Sequence, residues 1–239
     1  PLHTSVSYYL GLCDNLAMIG SPEVASALES LTKAGRECYK WYAALASFNT
    51  EMANMGFPLL FSSDVQAPFD TIGDFFRGTR GIMLDMYRNY DTLLEAIDKI
   101  TPLMIRMGVS AAEVSGNPRV LIPLHKGAHG FMSLKQFNTF YWPSLRKVIL
   151  ELVDEGLVPY LLLEGDYTDR LEIIKDVPKG RVLYHFERTD IFKAKEILGD
   201  RVCIKGNVPN TLLCTGTPQE VKEYCRQLID VVGEGGGFI

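Results

Sequence analysis

Glu164 stands where a buried strand needs no acid. The run VPYLLLEGD (158–166) places it directly after Leu161, Leu162 and Leu163, where a carboxylate would be partly desolvated and would require a cation, a donor or a raised pKa. Polar residues close other apolar runs in the same way: Asp64 after GFPLLFSS, His125 and His129 after RVLIPL, His185 and Glu187 in and after RVLYHF, and Asn207 after VCIKG. Acids and imidazoles are the groups that move protons or bind a divalent metal. Alternation along a strand puts His185 and Glu187 on one side. Asp166 suits either ligand contact or an Asx-turn before the next helix, Asn207 either a pocket wall or a loop, and His129 a loop.

These residues need elements that bring them to one place. From RVLIPL onward, short apolar strands alternate with amphipathic helices: SLKQFNTFYWPSLRKVILELVDEG, TDRLEIIKD, TDIFKAKEILG and TPQEVKEYCRQLIDVVG. Ser133 with Gln136 and Thr217 with Glu220 are capping boxes, and Pro143 predicts a kink in the first of these helices. Such alternation implies parallel strands covered on both faces, and no G-x-G-x-x-G or P-loop follows any strand, so an α/β barrel of the TIM type is expected. In that fold the strand ends form one catalytic rim. Six strands are recognisable where a barrel has eight.

Residues 1–55 read as a helical segment and 56–239 as the barrel portion. In the former, Val24, Leu28, Leu31, Cys38, Tyr42, Leu45, Met52 and Met55 recur at near-helical spacing as a core stripe, on one helix or on two broken near Gly35. Pro1 is not an initiator methionine and GEGGGFI ends like the start of a strand, so the chain is expected to be part of a longer one whose missing strands lie on the N-terminal side.

Composition narrows the function. With 24 Lys+Arg against 29 Asp+Glu and no basic run, the chain offers a nucleic acid no attractive field. No apolar run reaches the length of a membrane span. Five cysteines without a C-x-x-C spacing predict reduced thiols and a cytoplasmic setting, with Cys214 the one placed to react.

The strings FMSLKQFNTFYWPSLRKVI, VPYLLLEGD, KAKEILGDRVCIKGNVPNTLL, GTPQEVKEYCRQLID and GGGFI resemble, in order and spacing, the uroporphyrinogen decarboxylase superfamily from about residue 56 to residue 239. The resemblance implies a TIM-like barrel and one of two activities: decarboxylation of uroporphyrinogen's acetate groups, or methyl transfer involving corrinoid proteins. In the family's zinc methyltransferases the strand matching VPYLLLEGD carries an H-x-C pair, whereas here Leu162 and Glu164 occupy those positions. The strand ends are acidic or neutral, which suits protonation of an ether or amine leaving group better than the grip of a polycarboxylate. The reading is therefore an enzyme that demethylates a small methoxylated or methylamine compound onto a separate cobalamin-carrying protein. Glu164, His125 and His185 are the catalytic candidates, Asp64, Asp166, Glu187 and Asn207 would bind substrate, and Glu164 would be a ligand if zinc is used. The alternatives are a uroporphyrinogen decarboxylase and a non-catalytic barrel that binds a corrinoid protein.

Overall fold

The computed structural model describes residues 12–61 and 63–239, which divide into two units, Pro1–Leu59 and Leu60–Ile239. In the first, Pro22–Asn54 is one unbroken helix of 33 residues that passes through Gly35. Ser21 precedes it and Pro22 opens it, as the fixed proline φ favours. The stripe expected to form a core does not: none of the helix's residues is buried, and Leu31 and Trp41 are 68% and 60% exposed. A single helix offers its own apolar stripe nothing to pack on.

The second unit is built on a parallel sheet of five strands in sequence order: β1 (Ser63–Asp64), β2 (Arg119–Leu124), β3 (Val158–Leu163), β4 (Leu183–Phe186) and β5 (Cys203–Lys205). The expected last strand, GGGFI, is reduced to a parallel bridge between Ile204 and Phe238. Helices Tyr90–Ser115, Trp142–Asp154 and Ile191–Leu198 follow β1, β2 and β4 in the chain. Val120, Ile122, Leu124, Leu161, Leu163, Tyr184, Phe186 and Ile204 are buried in one core with Leu145, Ile149, Leu152 and Leu198 from two of these helices.

The strands are not covered equally on both faces, as the continuous apolar runs predicted. In β2 the burial alternates residue by residue, with Val120, Ile122 and Leu124 buried and Arg119, Leu121 and Pro123 only partly so. Register extends that second face: Leu121 pairs with Tyr160, Pro123 with Leu162, Leu162 with His185 and His185 with Lys205. Side chains two apart share a side of a strand, so Asp64, Leu121, Tyr160, Leu162, His185 and Lys205 line one surface of the sheet, opposite the helix-packed core. This open face and the loops beyond the strand ends carry the polar residues picked out above.

Ahead of Pro143 the helix takes a π-helical turn, Phe137–Tyr141, after which Trp142–Asp154 resumes as α-helix with proline in its first positions. The wider turn removes the need for the amide that proline lacks. It also sets Tyr141, fully buried, over the end of β2.

Candidate active site

The segment after β1 begins with a helical turn at Pro68–Thr71 and runs into a π-turn at Ile72–Arg77. It brings Asp70 and Asp74, four residues apart, against the loop His125-Lys126-Gly127 after β2. Asp70 is fully buried and accepts hydrogen bonds from the amides of His125 (2.9 Å) and Lys126 (3.0 Å) and from the Tyr141 hydroxyl (2.5 Å). Burial pushes its carboxyl up from 3.8 to about 6, against the opposing pull of the Tyr141 and His125 hydrogen bonds. The Tyr141 and Tyr167 hydroxyls are pushed far up by burial, so both stay protonated. The loop's path over Asp70 is thereby fixed.

Asp74 lies at the mouth. Its Oδ2 is 2.7 Å from His125 Nδ1, and its Oδ1 accepts from the buried Lys126 ammonium. Partial burial works to raise this carboxyl, but the hydrogen bonds from Lys126 and His125 outweigh it and hold it below the usual carboxylate range. A charged carboxylate at Nδ1 selects the tautomer with hydrogen on that nitrogen and leaves Nε2 to exchange a proton with a bound molecule. His125 and Asp74 retain 31% and 25% side-chain exposure, enough for a ligand to reach them.

At the other end of the sheet, the Lys205 ammonium donates to the Tyr160 hydroxyl (3.0 Å), and that oxygen is 2.8 Å from His185 Nδ1. With lysine donating, the tyrosine hydroxyl is free to donate to the imidazole. Burial chiefly, and then the Lys205 charge, hold His185 below the usual imidazole range against the pull of Glu187, so at neutral pH it is uncharged. His185, Leu162, Glu187 and Asn207 line one cavity of about 770 Å³ at the β4 and β5 mouths.

The remaining candidates separate. Asn207 is buried and fully engaged: it donates to the Thr189 carbonyl (2.7 Å) and accepts from the Tyr224 hydroxyl (2.9 Å), which makes it a brace of the cavity wall. Glu187 accepts from the Gly165 amide (2.9 Å), tying the β3 and β4 loops. Asp166 forms the Asx-turn, accepting from the Thr168 amide and hydroxyl at 2.8 and 2.6 Å. His129 is exposed and pairs with Asp169 at 3.1 Å. Cys214 lies exposed within the helix Asn210–Thr215. Asp64 is exposed on the open face.

Glu164 is the main correction. It is exposed, so the desolvation that would have demanded a partner does not arise. The apolar run ends at Leu163, and Gly165, at φ +90°, turns the chain so that the carboxylate meets solvent at the mouth. Among the described residues no group of three or more His, Cys, Asp or Glu side chains is disposed to hold a metal ion. The residues present therefore do not make a zinc site around Glu164.

Asp74, Lys126, Tyr160 and Lys205 escaped the sequence reading. Asp70 and Asp74 at i, i+4 were visible on a helix, but only the β1–β2 pairing shows which loop they meet. Tyr160 and Lys205 lie inside strands, where side chains read as core until the open face is known.

A family profile described as "Uroporphyrinogen decarboxylase (URO-D)" matches residues 18–239. A curated uroporphyrinogen decarboxylase of Chlorobium phaeovibrioides (strain DSM 265 / 1930) is 44% identical over 45 residues, 19% of this chain and 12% of that protein. Among solved structures, a methyltransferase from Methanosarcina mazei superposes with a TM-score of 0.60 at 21% identity, over 73% of this chain and 50% of that one. The chain thus matches only half the length of that structure and an eighth of the curated relative. The likeness shows the fold, an α/β architecture of the TIM-like barrel type.

Proposed function

The chain belongs to the uroporphyrinogen decarboxylase family, and from that premise we propose that it serves an enzyme moving a methyl group from a small methoxylated or methylamine compound to a corrinoid protein. The observation that carries this reading is the Asp74–His125 pair at the strand mouths, 2.7 Å between Oδ2 and Nδ1. When a methyl–oxygen or methyl–nitrogen bond breaks towards a reduced cobalt centre, the electron pair stays on the departing oxygen or nitrogen, which must then take a proton. His125, in its protonated form, supplies that proton from Nε2, while Asp74 keeps Nδ1–H in place and stabilises the imidazolium. Glu164 and Glu187 are exposed just beyond the ends of β3 and β4, and they favour a donor or transition state with positive charge at the migrating methyl. The cobalamin belongs to the partner and accepts the methyl. Among the described residues no set of donors is disposed to hold zinc, so the step is assigned to the side chains alone.

Decarboxylation is the second reading, favoured by the curated relative's identity over 45 residues. Exposed Glu164 and Glu187 at the strand mouths weigh against it, and Arg188 beside them in the cavity wall weighs for it.

The test uses the full-length protein with cob(I)alamin, following its methylation by absorbance with methoxylated aromatics and methylamines as donors. The wild type is expected to methylate the cofactor, with His125→Gln slowed by roughly 10²–10⁴-fold and Asp74→Asn slowed less. Release of carbon dioxide from uroporphyrinogen without any methylation would replace this reading with the decarboxylase, and an undiminished His125→Gln would remove the dyad from it.

A further inference from the structure

The catalytic candidates stand beyond the C-terminal ends of the strands, and a second cluster of charge stands at the opposite ends. Val158, Leu183 and Cys203, the first residues of β3, β4 and β5, line a cavity of about 320 Å³ together with Lys179, Arg181 and Arg201. One carboxylate, Asp200, shares the wall, 3.8 Å from the Lys179 ammonium. Both partners of that pair are well exposed, so the contact is loose and holds little of the lysine's charge. In a chain whose net charge is -5, three cations around one hollow reverse the sign locally.

Two tied turns carry the arginines. The Gly180 amide donates to the Arg201 carbonyl (2.7 Å) and the Cys203 amide to the Val182 carbonyl (3.0 Å), which joins the turn before β4 to the turn before β5. Gly180 takes φ +71°, a conformation that a side chain would resist. Arg201 is partly buried, and its Nε is enclosed without an acceptor. Among the described residues neither Arg181 nor Arg201 enters an ion pair or a side-chain hydrogen bond. A guanidinium drawn partly out of water favours an acceptor beside it, and an enclosed donor without one is uncommon in folded proteins.

We propose that Lys179, Arg181 and Arg201 form a binding site for the phosphate group of a small phosphate monoester, at the end of the sheet opposite the strand mouths. Guanidinium groups meet phosphate oxygens two at a time, and three acceptor oxygens suit three cationic donors. A phosphate monoester carries close to two negative charges at neutral pH, which balance the three cations once Asp200 is counted, whereas a single carboxylate would leave a cation unanswered. A cavity of this size, many times the roughly 30 Å³ of a water, also has room for the carbon group that bears the phosphate. The site is independent of the methyl-transfer reading.

Binding is measured by calorimetry on the full-length protein at fixed ionic strength, in a buffer without phosphate, with glycerol 3-phosphate, glycerol, inorganic phosphate and a peptide of four glutamates. Glycerol 3-phosphate is expected to bind and glycerol not to. Arg201→Met and Arg181→Gln should each weaken the ester by about tenfold or more, while Arg188→Gln, at the strand mouths, should leave it unchanged. Arg181 is exposed, so Arg181→Gln decides the matter if the Arg201 variant melts early. No binding of the ester to the wild type, equal affinity in wild type and Arg181→Gln, or a loss that follows Arg188 would each overturn the site. Tighter binding of inorganic phosphate would give the site to the free ion, and tighter binding of the peptide would give it to an acidic protein segment; either would overturn the monoester. No methyl donor or corrinoid is present, so none of these outcomes bears on the transfer reading.

Discussion

Asp70 shows how a single carboxylate organises the rim. It is fully buried and accepts three hydrogen bonds, two of them from successive amides of the loop that carries His125. Its carboxyl is raised from 3.8 to about 6. The stability it contributes is therefore complete below its unfolded pKa and is lost as pH rises through the folded value, on the order of 3 kcal/mol at roughly 1.4 kcal/mol per unit. Asp70→Asn cannot titrate, so the margin by which wild type exceeds this variant in urea unfolding should shrink between pH 4 and pH 7. A margin constant across that window would mean that Asp70 stays ionised. Asp74 runs the opposite way: its carboxyl is held down, so its contribution is present at neutral pH and is lost on acidification through its lowered folded pKa.

At the scale of elements, the loop after β2 passes close under two buried tyrosines. A Cβ on Gly127 would lie 2.6 Å from a Tyr141 ring carbon and 2.8 Å from the Tyr167 hydroxyl. Both rings are fully enclosed and cannot retreat. Gly127→Ala should thus cost about 1–3 kcal/mol, read as a lowered urea midpoint, and should disturb the Tyr141–Asp70 bond, with a loss of activity beyond the loss of stability. An alanine variant as stable and active as wild type would show that the loop has room. The π-turn before Pro143 has the same logic. The proline was plain in the sequence as a break, but that the break takes the form of a wide turn setting Tyr141 over Asp70 depends on what the helix packs against.

For the unit Leu60–Ile239 as a whole, the decisive feature is the order β1-β2-β3-β4-β5, which leaves β1 at one edge of the described sheet while β5, at the other, is bridged to Phe238. Strand edges and a partly apolar face invite pairing with other chains. The isolated 239 residues should self-associate, with an apparent mass in light scattering that grows with concentration; a monodisperse monomer across a hundredfold range would contradict this. Metal content belongs to this scale too, because a ligand set needs several strand ends at once. Glu164→Gln in the 239-residue chain should leave bound zinc unchanged, and stoichiometric zinc lost in the variant would reveal donors that the described residues do not supply.

The sequence by itself determined the class of fold and most of the candidates. Alternating apolar strands and amphipathic helices allow little besides a parallel α/β sheet, and polar residues after those strands must gather at one rim. It also identified His125 and His185. What it could not determine was which acids and cations meet those imidazoles, because Asp74 is 51 residues from His125, and Tyr160 and Lys205 lie 25 and 20 residues from His185. Such contacts follow from strand pairing and helix docking, which depend on packing across the whole sheet. For the same reason Glu164, the oddest residue in its local context, is solvated in the fold: burial is a property of what surrounds a residue in space, and the three leucines before it say nothing of what lies beyond the strand's end.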